Sequence, residues 1–219
     1  VKLRTLTHAM SAVLDLLAPA RCAACEALDP HSGYCTDCGP PEPLLDVACH
    51  IDGAPVFAGA RYGDPIAAAI HRFKYGNAPE LSPVLAASCA RGIDLLGIEA
   101  SDVWVPVPLH PLRLAERGYN QSALLARELA RLARGSVDVR RLQRLRHTEQ
   151  QAKQSRGGRS ANVDQAFAAR PRAGTQRVVL VDDVVTTGAT LRACIAALRA
   201  AGDQVVGCLA AAYADSPSM

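Results

Sequence analysis

Aromatic residues are scarce: three Phe, five Tyr and one Trp make up 4% of the 219 residues. A surface built from stacked rings for single-stranded nucleic acid is therefore not expected. Long apolar runs are also missing. None reaches the roughly 18 residues that cross a bilayer, so no membrane insertion is expected. Residues 1–20 carry His8 and Asp15 among Leu14, Leu16 and Leu17, which does not read as a signal peptide. Neither G-x-G-x-x-G nor G-K-[ST] occurs, which excludes the dinucleotide fingerprint and the nucleotide-triphosphate loop.

What remains is a globular composition, 49% hydrophobic and 21% charged, long enough for one ordinary domain and a small appendage. The net charge of +3 is unevenly spread. Between positions 113 and 177, fourteen Arg and Lys153 face five acidic residues, a local charge of +10. Such a segment suits an anionic ligand, a phosphorylated metabolite or nucleic acid, and equally a solvated basic face.

Periodicity predicts a short helix over 9–18, with Met10, Val13, Leu14 and Leu17 on one face. Cysteines follow, and Pro40, Pro41 and Pro43 mark a boundary between a module of residues 1–43 and a domain of residues 44–219. Segments 47–51 and 55–62 flank Asp52-Gly53 as a hairpin. Helices are expected at 66–73, 81–90, 121–134 (apolar Leu124, Leu125, Leu129 and Leu132) and 190–201, with Gly202 as the last one's stop. Strands are expected at 102–107, 177–181 and 204–212, and a polar loop at 147–162. Alternating strands and helices imply a parallel α/β sheet with ligands at the strand ends.

The most informative stretch runs Val178-Val179-Leu180-Val181-Asp182-Asp183-Val184-Val185-Thr186-Thr187-Gly188-Ala189-Thr190. Four apolar residues make a strand buried on both faces. Two carboxylates stand at its end, and a Thr/Gly loop opens a helix. Helix N-terminal N–H groups bind phosphate, and Thr186, Thr187 and Thr190 add hydroxyl donors. Gly188 lets the backbone come close. Asp182 and Asp183 repel phosphate and suit a polyol, whose hydroxyls they accept. Together the parts describe a pocket for ribose 5-phosphate. A strand ending in exposed Asp, followed by a Thr cap, would show the same pieces singly but not all of them in this order.

These thirteen residues resemble the 5-phosphoribosyl-1-pyrophosphate (PRPP) motif of type I phosphoribosyltransferases. Val105-Pro106-Val107-Pro108-Leu109-His110, Arg113, and Arg117-Gly118-Tyr119-Asn120-Gln121 resemble the ComF family. Phe73-Lys74-Tyr75, Asn162-Val163, Ala166-Phe167 and the N-terminal cysteine pairs do so too. The resemblance implies a type I phosphoribosyltransferase-like parallel sheet flanked by helices, with a small zinc-binding module. It implies PRPP with Mg²⁺ as ligand: ribose hydroxyls on Asp182 and Asp183, the 5-phosphate on the loop from Thr186 through Gly188 and Ala189 to Thr190. ComF proteins are associated with natural competence, and the family's acceptor substrate is poorly defined.

Departing pyrophosphate is highly charged and needs Mg²⁺ and basic side chains. Arg113, Arg117, Lys74, Arg156 and Arg159 are the candidates, with Gly157-Gly158 as a lid hinge. No side chain stands out as a general base. Cys22-x-x-Cys25 and Cys35-x-x-Cys38 have the spacing of a tetrahedral zinc site, with a redox pair or plain thiols as alternatives. His31, Cys49 and His50 are reserve ligands. Cys89, Cys194 and Cys208 sit in apolar segments and read as core. Thiols rather than disulfides suit the cytoplasm. Two functions stand: a Mg²⁺-dependent phosphoribosyltransferase with a nitrogenous acceptor, or a competence protein that contacts single-stranded DNA or a helicase-like partner. Homodimer formation is left open.

Overall fold

Residues 20–28, 33–145 and 166–214 are described by the computed structural model. The helix expected at 9–18 and the loop at 147–162 lie outside them. β1 (Cys49–Ile51) and β2 (Ala54–Arg61) form the hairpin signalled by Asp52-Gly53. Both turn residues have positive φ, 49° and 78°, the twist that suits a two-residue hairpin.

α1 (Ile66–Tyr75), α2 (Ser82–Cys89) and α3 (Arg91–Leu95) lead to β3 (Val103–Pro106). α4 (Pro111–Arg117), α5 (Gln121–Ala133) and β4 (Ser136–Val137) follow. β5 (Leu142–Arg144) and β6 (Phe167–Ala169) make a separate antiparallel pair. β7 (Arg177–Val185), α6 (Ala189–Ala200) and β8 (Gln204–Tyr213) complete the described fold. The main sheet runs β1-β2-β8-β7-β3-β4, parallel except for the β1–β2 hairpin.

β7 lies between β3 and β8 and is buried on both faces, as its apolar run predicts. Val179 and Val181 pack with apolar residues of α1, α2 and α5. Val178 and Leu180 pack on the opposite face with Leu191, Ile195 and Leu198 of α6. Cys89 belongs to the first cluster, Cys194 and Cys208 to the second, all fully buried. Where β1 no longer covers β2, the preceding chain does: Leu44 N–H donates to the Gly59 carbonyl, and Arg61 N–H to that of Glu42.

Three expectations need correction. β7 does not stop at residue 181. It stays paired to β8 through Asp182↔Ala210, Val184↔Ala212 and Val185↔Tyr213, so the carboxylates lie within the strand. Residues 111–117 form a helix, α4, that periodicity did not disclose; none of its residues is buried, so it has no apolar face to detect. Leu132 of α5 is 46% exposed. The buried stripe of that helix runs through Ser122, Ala123, Leu125, Ala126, Leu129 and Ala130, with small residues against the sheet and Leu132 at its margin.

The connections position the site. From β3 the chain passes through α4 and α5 outward to β4. From β7 it passes through α6 the other way, to β8. Strand order therefore reverses between β3 and β7, and the crevice beyond their C-terminal ends is where parallel sheets hold ligands.

Candidate functional site

At that crevice the last residues of β7 turn into α6. A hollow of about 40 Å³ is lined by Asp182 and residues 184–191. α6 starts after Gly188 without a side-chain cap, so its first turn presents backbone N–H groups to the hollow. Among the described residues, only Ala189 N–H is approached by a side chain, Thr187 Oγ1 at 3.4 Å. Gly188 has φ +72°, and a Cβ there would stand 2.6 Å from Ile51 Cδ1. The glycine thus has a backbone and a packing reason of its own, beyond the ligand approach argued from sequence.

Asp182 and Asp183 sit differently. Asp182 Oδ1 accepts from Ser122 Oγ at 3.0 Å and from Asp183 N–H at 2.9 Å. Burial, and then the neighbouring Asp183 charge, raise its carboxyl to about 7. Asp183 is 4% exposed. Its Oδ1 meets the Lys74 ammonium at 3.0 Å, while Oδ2 is enclosed without a partner. Lys74, near the end of α1, also walls two adjoining hollows of about 250 and 160 Å³. These share Lys74, Tyr75, Arg113 and Arg117. Arg113 and Arg117 stand one turn apart on α4, and the Arg117 guanidinium lies 5.1 Å from the centre of the Tyr75 ring.

The segment after α4 holds these parts together. Gly118 (φ 82°) ends α4 in the left-handed conformation. Tyr119 Oη donates to the Phe73 carbonyl at 2.5 Å, fixing the end of α1. Asn120 Oδ1 caps α5 by accepting from Ser122 and Ala123 N–H, and its Nδ2 donates to the Val107 carbonyl just past β3. Gln121 is buried.

Residues 115–218 match the family described as phosphoribosyl transferase domain. Over 193 residues the chain is 30% identical to Competence protein F of Haemophilus influenzae, a match that covers 83% of this chain and 79% of that one. The chain belongs to the ComF family. Two further ComF relatives carry the name DNA utilization protein YhgH. The Escherichia coli K12 protein is 34% identical over 136 residues, 60% of either chain. The Salmonella typhimurium protein is 29% identical over 181 residues, 78% of this chain and 80% of that one.

The ComF cysteine pairs meet in space. The sulfurs of Cys22, Cys25, Cys35 and Cys38 all lie within 4.8 Å of one another, and those of Cys25 and Cys35 are 3.6 Å apart. Tetrahedral Zn–S bonds of about 2.3 Å put sulfurs about 3.8 Å apart, so the four could hold a zinc ion. Burial works against a thiolate at Cys22, but N–H groups of Cys35, Cys25 and Ala24 outweigh it and hold the thiol down to about 6. Contact with the Cys25 and Cys35 thiols pushes Cys38 up. Arg72 of α1 binds this module: Nη1 donates to the carbonyls of Cys22 and Ala23 at 2.9 and 2.7 Å, and Nη2 meets Glu26 at 2.8 Å.

The structure brings Asp182, Asp183, Lys74, Arg113, Arg117 and the loop from Thr186 to Thr190 to one end of the sheet. Arg156, Arg159, Gly157-Gly158 and His31 lie outside the described residues. Cys49 and His50, on β1, do not join the cysteine cluster. Sequence reasoning gave no role to Ser122, Tyr75 or Arg72. Tyr75 was named only within the Phe73-Lys74-Tyr75 resemblance, and Ser122 carried a local signal as the second residue after the Asn cap of α5.

Proposed function

We propose that this ComF protein binds PRPP with Mg²⁺ and transfers the phosphoribosyl group to a nitrogenous acceptor. The observation that carries the reading is the uncapped start of α6 around a small hollow, beside a buried carboxylate with an unpaired oxygen. The 5-phosphate takes the N–H groups and the hydroxyls of Thr186, Thr187 and Thr190, with Gly188 and Ala189 in the turn. The ribose hydroxyls donate to Asp182 and to the free Oδ2 of Asp183. Mg²⁺ would neutralise charge on the pyrophosphate as it leaves. Lys74, Arg113 and Arg117 face the same charge from the walls, and Arg156, outside the described residues, is a further candidate to bind it. Carboxylate oxygens suit so hard a cation.

The N-terminal module, residues 1–43, takes a structural zinc ion through Cys22, Cys25, Cys35 and Cys38, and the phosphoribosyltransferase domain spans 44–219. Four reduced thiols as ligands suit the cytoplasm. Calorimetric titration with PRPP, with and without Mg²⁺, and pyrophosphate release across a panel of amines and bases test the reading. At 100 times its dissociation constant, PRPP should stabilise the fold by about 2.7 kcal/mol, a rise in Tm of about 5–10 °C. No shift at millimolar PRPP and Mg²⁺ would overturn it.

The relatives' names support a second reading, in which the fold serves competence by holding single-stranded DNA or a partner protein of that machinery. The basic walls and the 63% exposed Tyr75 favour a DNA contact. Affinity should then fall by orders of magnitude between about 50 and 200 mM salt if six or more phosphates are engaged.

A further inference from the structure

Among the described residues five buried side-chain polar atoms have no hydrogen-bond partner. Two lie elsewhere, at Trp104 and Asp203. The other three belong to one end of the sheet: Arg117 Nη1 and Gln121 Oε1 are on residues that line one hollow with Lys74, and Asp183 Oδ2 is on the partner of that lysine. Buried polar atoms left unpaired are costly and rare, and three together at the end of a parallel sheet indicate that a ligand completes them. Asp183 Oδ2 is already assigned to the sugar. Arg117 and Gln121 line the hollow of about 160 Å³, and they make opposite demands. Arg117 Nη1 needs an acceptor. Gln121 Oε1, on a residue only 5% exposed, needs a donor. Pyrophosphate has only acceptor oxygens, so it can answer Arg117 but not Gln121.

The rest of that wall is basic or neutral: Lys74, His110, Arg113 and Arg144 add cations or an imidazole, and among the described residues no carboxylate lines it. Lys74 is paired with Asp183 and Arg113 with Glu116, but a cationic amine would still enter beside the guanidinium groups of Arg117 and Arg144. An anionic group would be welcomed.

Resting on the phosphoribosyl reading above, we propose that Gln121 is a specificity-determining residue, and that the acceptor is a small nitrogenous compound carrying a carboxylate. Its N–H donates to Gln121 Oε1, and its carboxylate meets Arg117 Nη1 and Arg144, while Lys74, Arg113 and the rest of the Arg117 guanidinium face the pyrophosphate. In the transfer the nitrogen lone pair forms the bond to C1′ of the sugar. The C1′–O bond breaks with its electrons going to pyrophosphate, and the nitrogen's proton passes to water or to the departing pyrophosphate.

Acceptor pairs that differ only in the carboxylate, each with an N–H, test this: uracil against orotate, pyrazole against pyrazole-3-carboxylate, aniline against anthranilate. Calorimetry is run on the full chain saturated with PRPP and Mg²⁺, with pyrophosphate release measured in parallel. At least one carboxylate should bind at least tenfold tighter than its neutral counterpart. Gln121→Met should weaken that acceptor's binding at least tenfold, raising its KM, while PRPP affinity measured alone stays within twofold. Equal or tighter binding of the neutral members overturns the assignment. So does a PRPP-loaded protein that takes none of the three carboxylates, or a Gln121→Met variant that loses PRPP and acceptor together. If PRPP itself fails to bind, the underlying reading falls first and separately.

Discussion

Lys74 and Asp183 are unequal partners. The ammonium keeps 22% of its side-chain surface exposed and the carboxylate 6%. Lys74→Met keeps the aliphatic stem and removes the charge. It leaves an enclosed carboxylate with neither a counter-ion nor a partner for its second oxygen. Removing one member of a buried pair costs about 3–5 kcal/mol, and a lysine one-fifth exposed argues for the lower end, about 3 kcal/mol. For a chain of this length that is a fall in Tm of roughly 6–12 °C. Asp183→Asn removes the enclosed charge instead. The ammonium it leaves can turn to water, so the cost should be about 1 kcal/mol or less. The double variant should recover most of what Lys74→Met loses, because no charge is then stranded. Urea unfolding of wild type, both single variants and the double variant near neutral pH gives the four free energies of the cycle. Equal costs for the two single variants, or a double variant less stable than Lys74→Met, would refute the reasoning.

Asp182 takes up its proton more readily folded, near 7, than unfolded, near 3.8. Its contribution to stability is therefore complete below about 4 and is lost as pH rises through 7; Asp182→Asn should flatten the pH dependence of Tm in that window. Elemental analysis should find about one zinc per chain, and chelation should lower Tm and free Arg72 from the carbonyls it binds. Gly188→Ala should cost about 1–2 kcal/mol from its left-handed backbone with the Ile51 contact added, so thermal melts must accompany any loss of ligand binding. Asn120→Ala should cost about 1 kcal/mol as a lost cap, measured by chemical denaturation.

The parts of the fold legible in the sequence were those whose causes are local. Asp52-Gly53 dictates its own turn, Gly202 (φ 86°) follows the end of α6, and the apolar run of β7 needs no distant partner to read as a buried strand. The extension of β7 to Val185 was hidden, because it depends on β8 pairing alongside. The acidic pair and the Thr/Gly loop were legible as a unit. The unlike environments of the two carboxylates were not, since Ser122 and Lys74 arrive from about 60 and 110 residues upstream. Arg117-Gly118-Tyr119-Asn120-Gln121 was legible only as a resemblance. Its mechanics rest on Phe73, Tyr75 and Val107, which no spacing rule connects to it.

Arg72 and Lys74 are two residues apart on α1, about 200° around the helix, so they point to nearly opposite sides. One grips the cysteine module and the other the carboxylate of the sheet. Binding energies that meet on one rigid element are linked, and linkage is symmetric. Whatever factor metal removal imposes on sugar-phosphate affinity, sugar phosphate must impose on metal affinity. The equilibrium partition of metal between the cysteines and a chromogenic chelator then becomes a readout of the far pocket, with no need to know the acceptor.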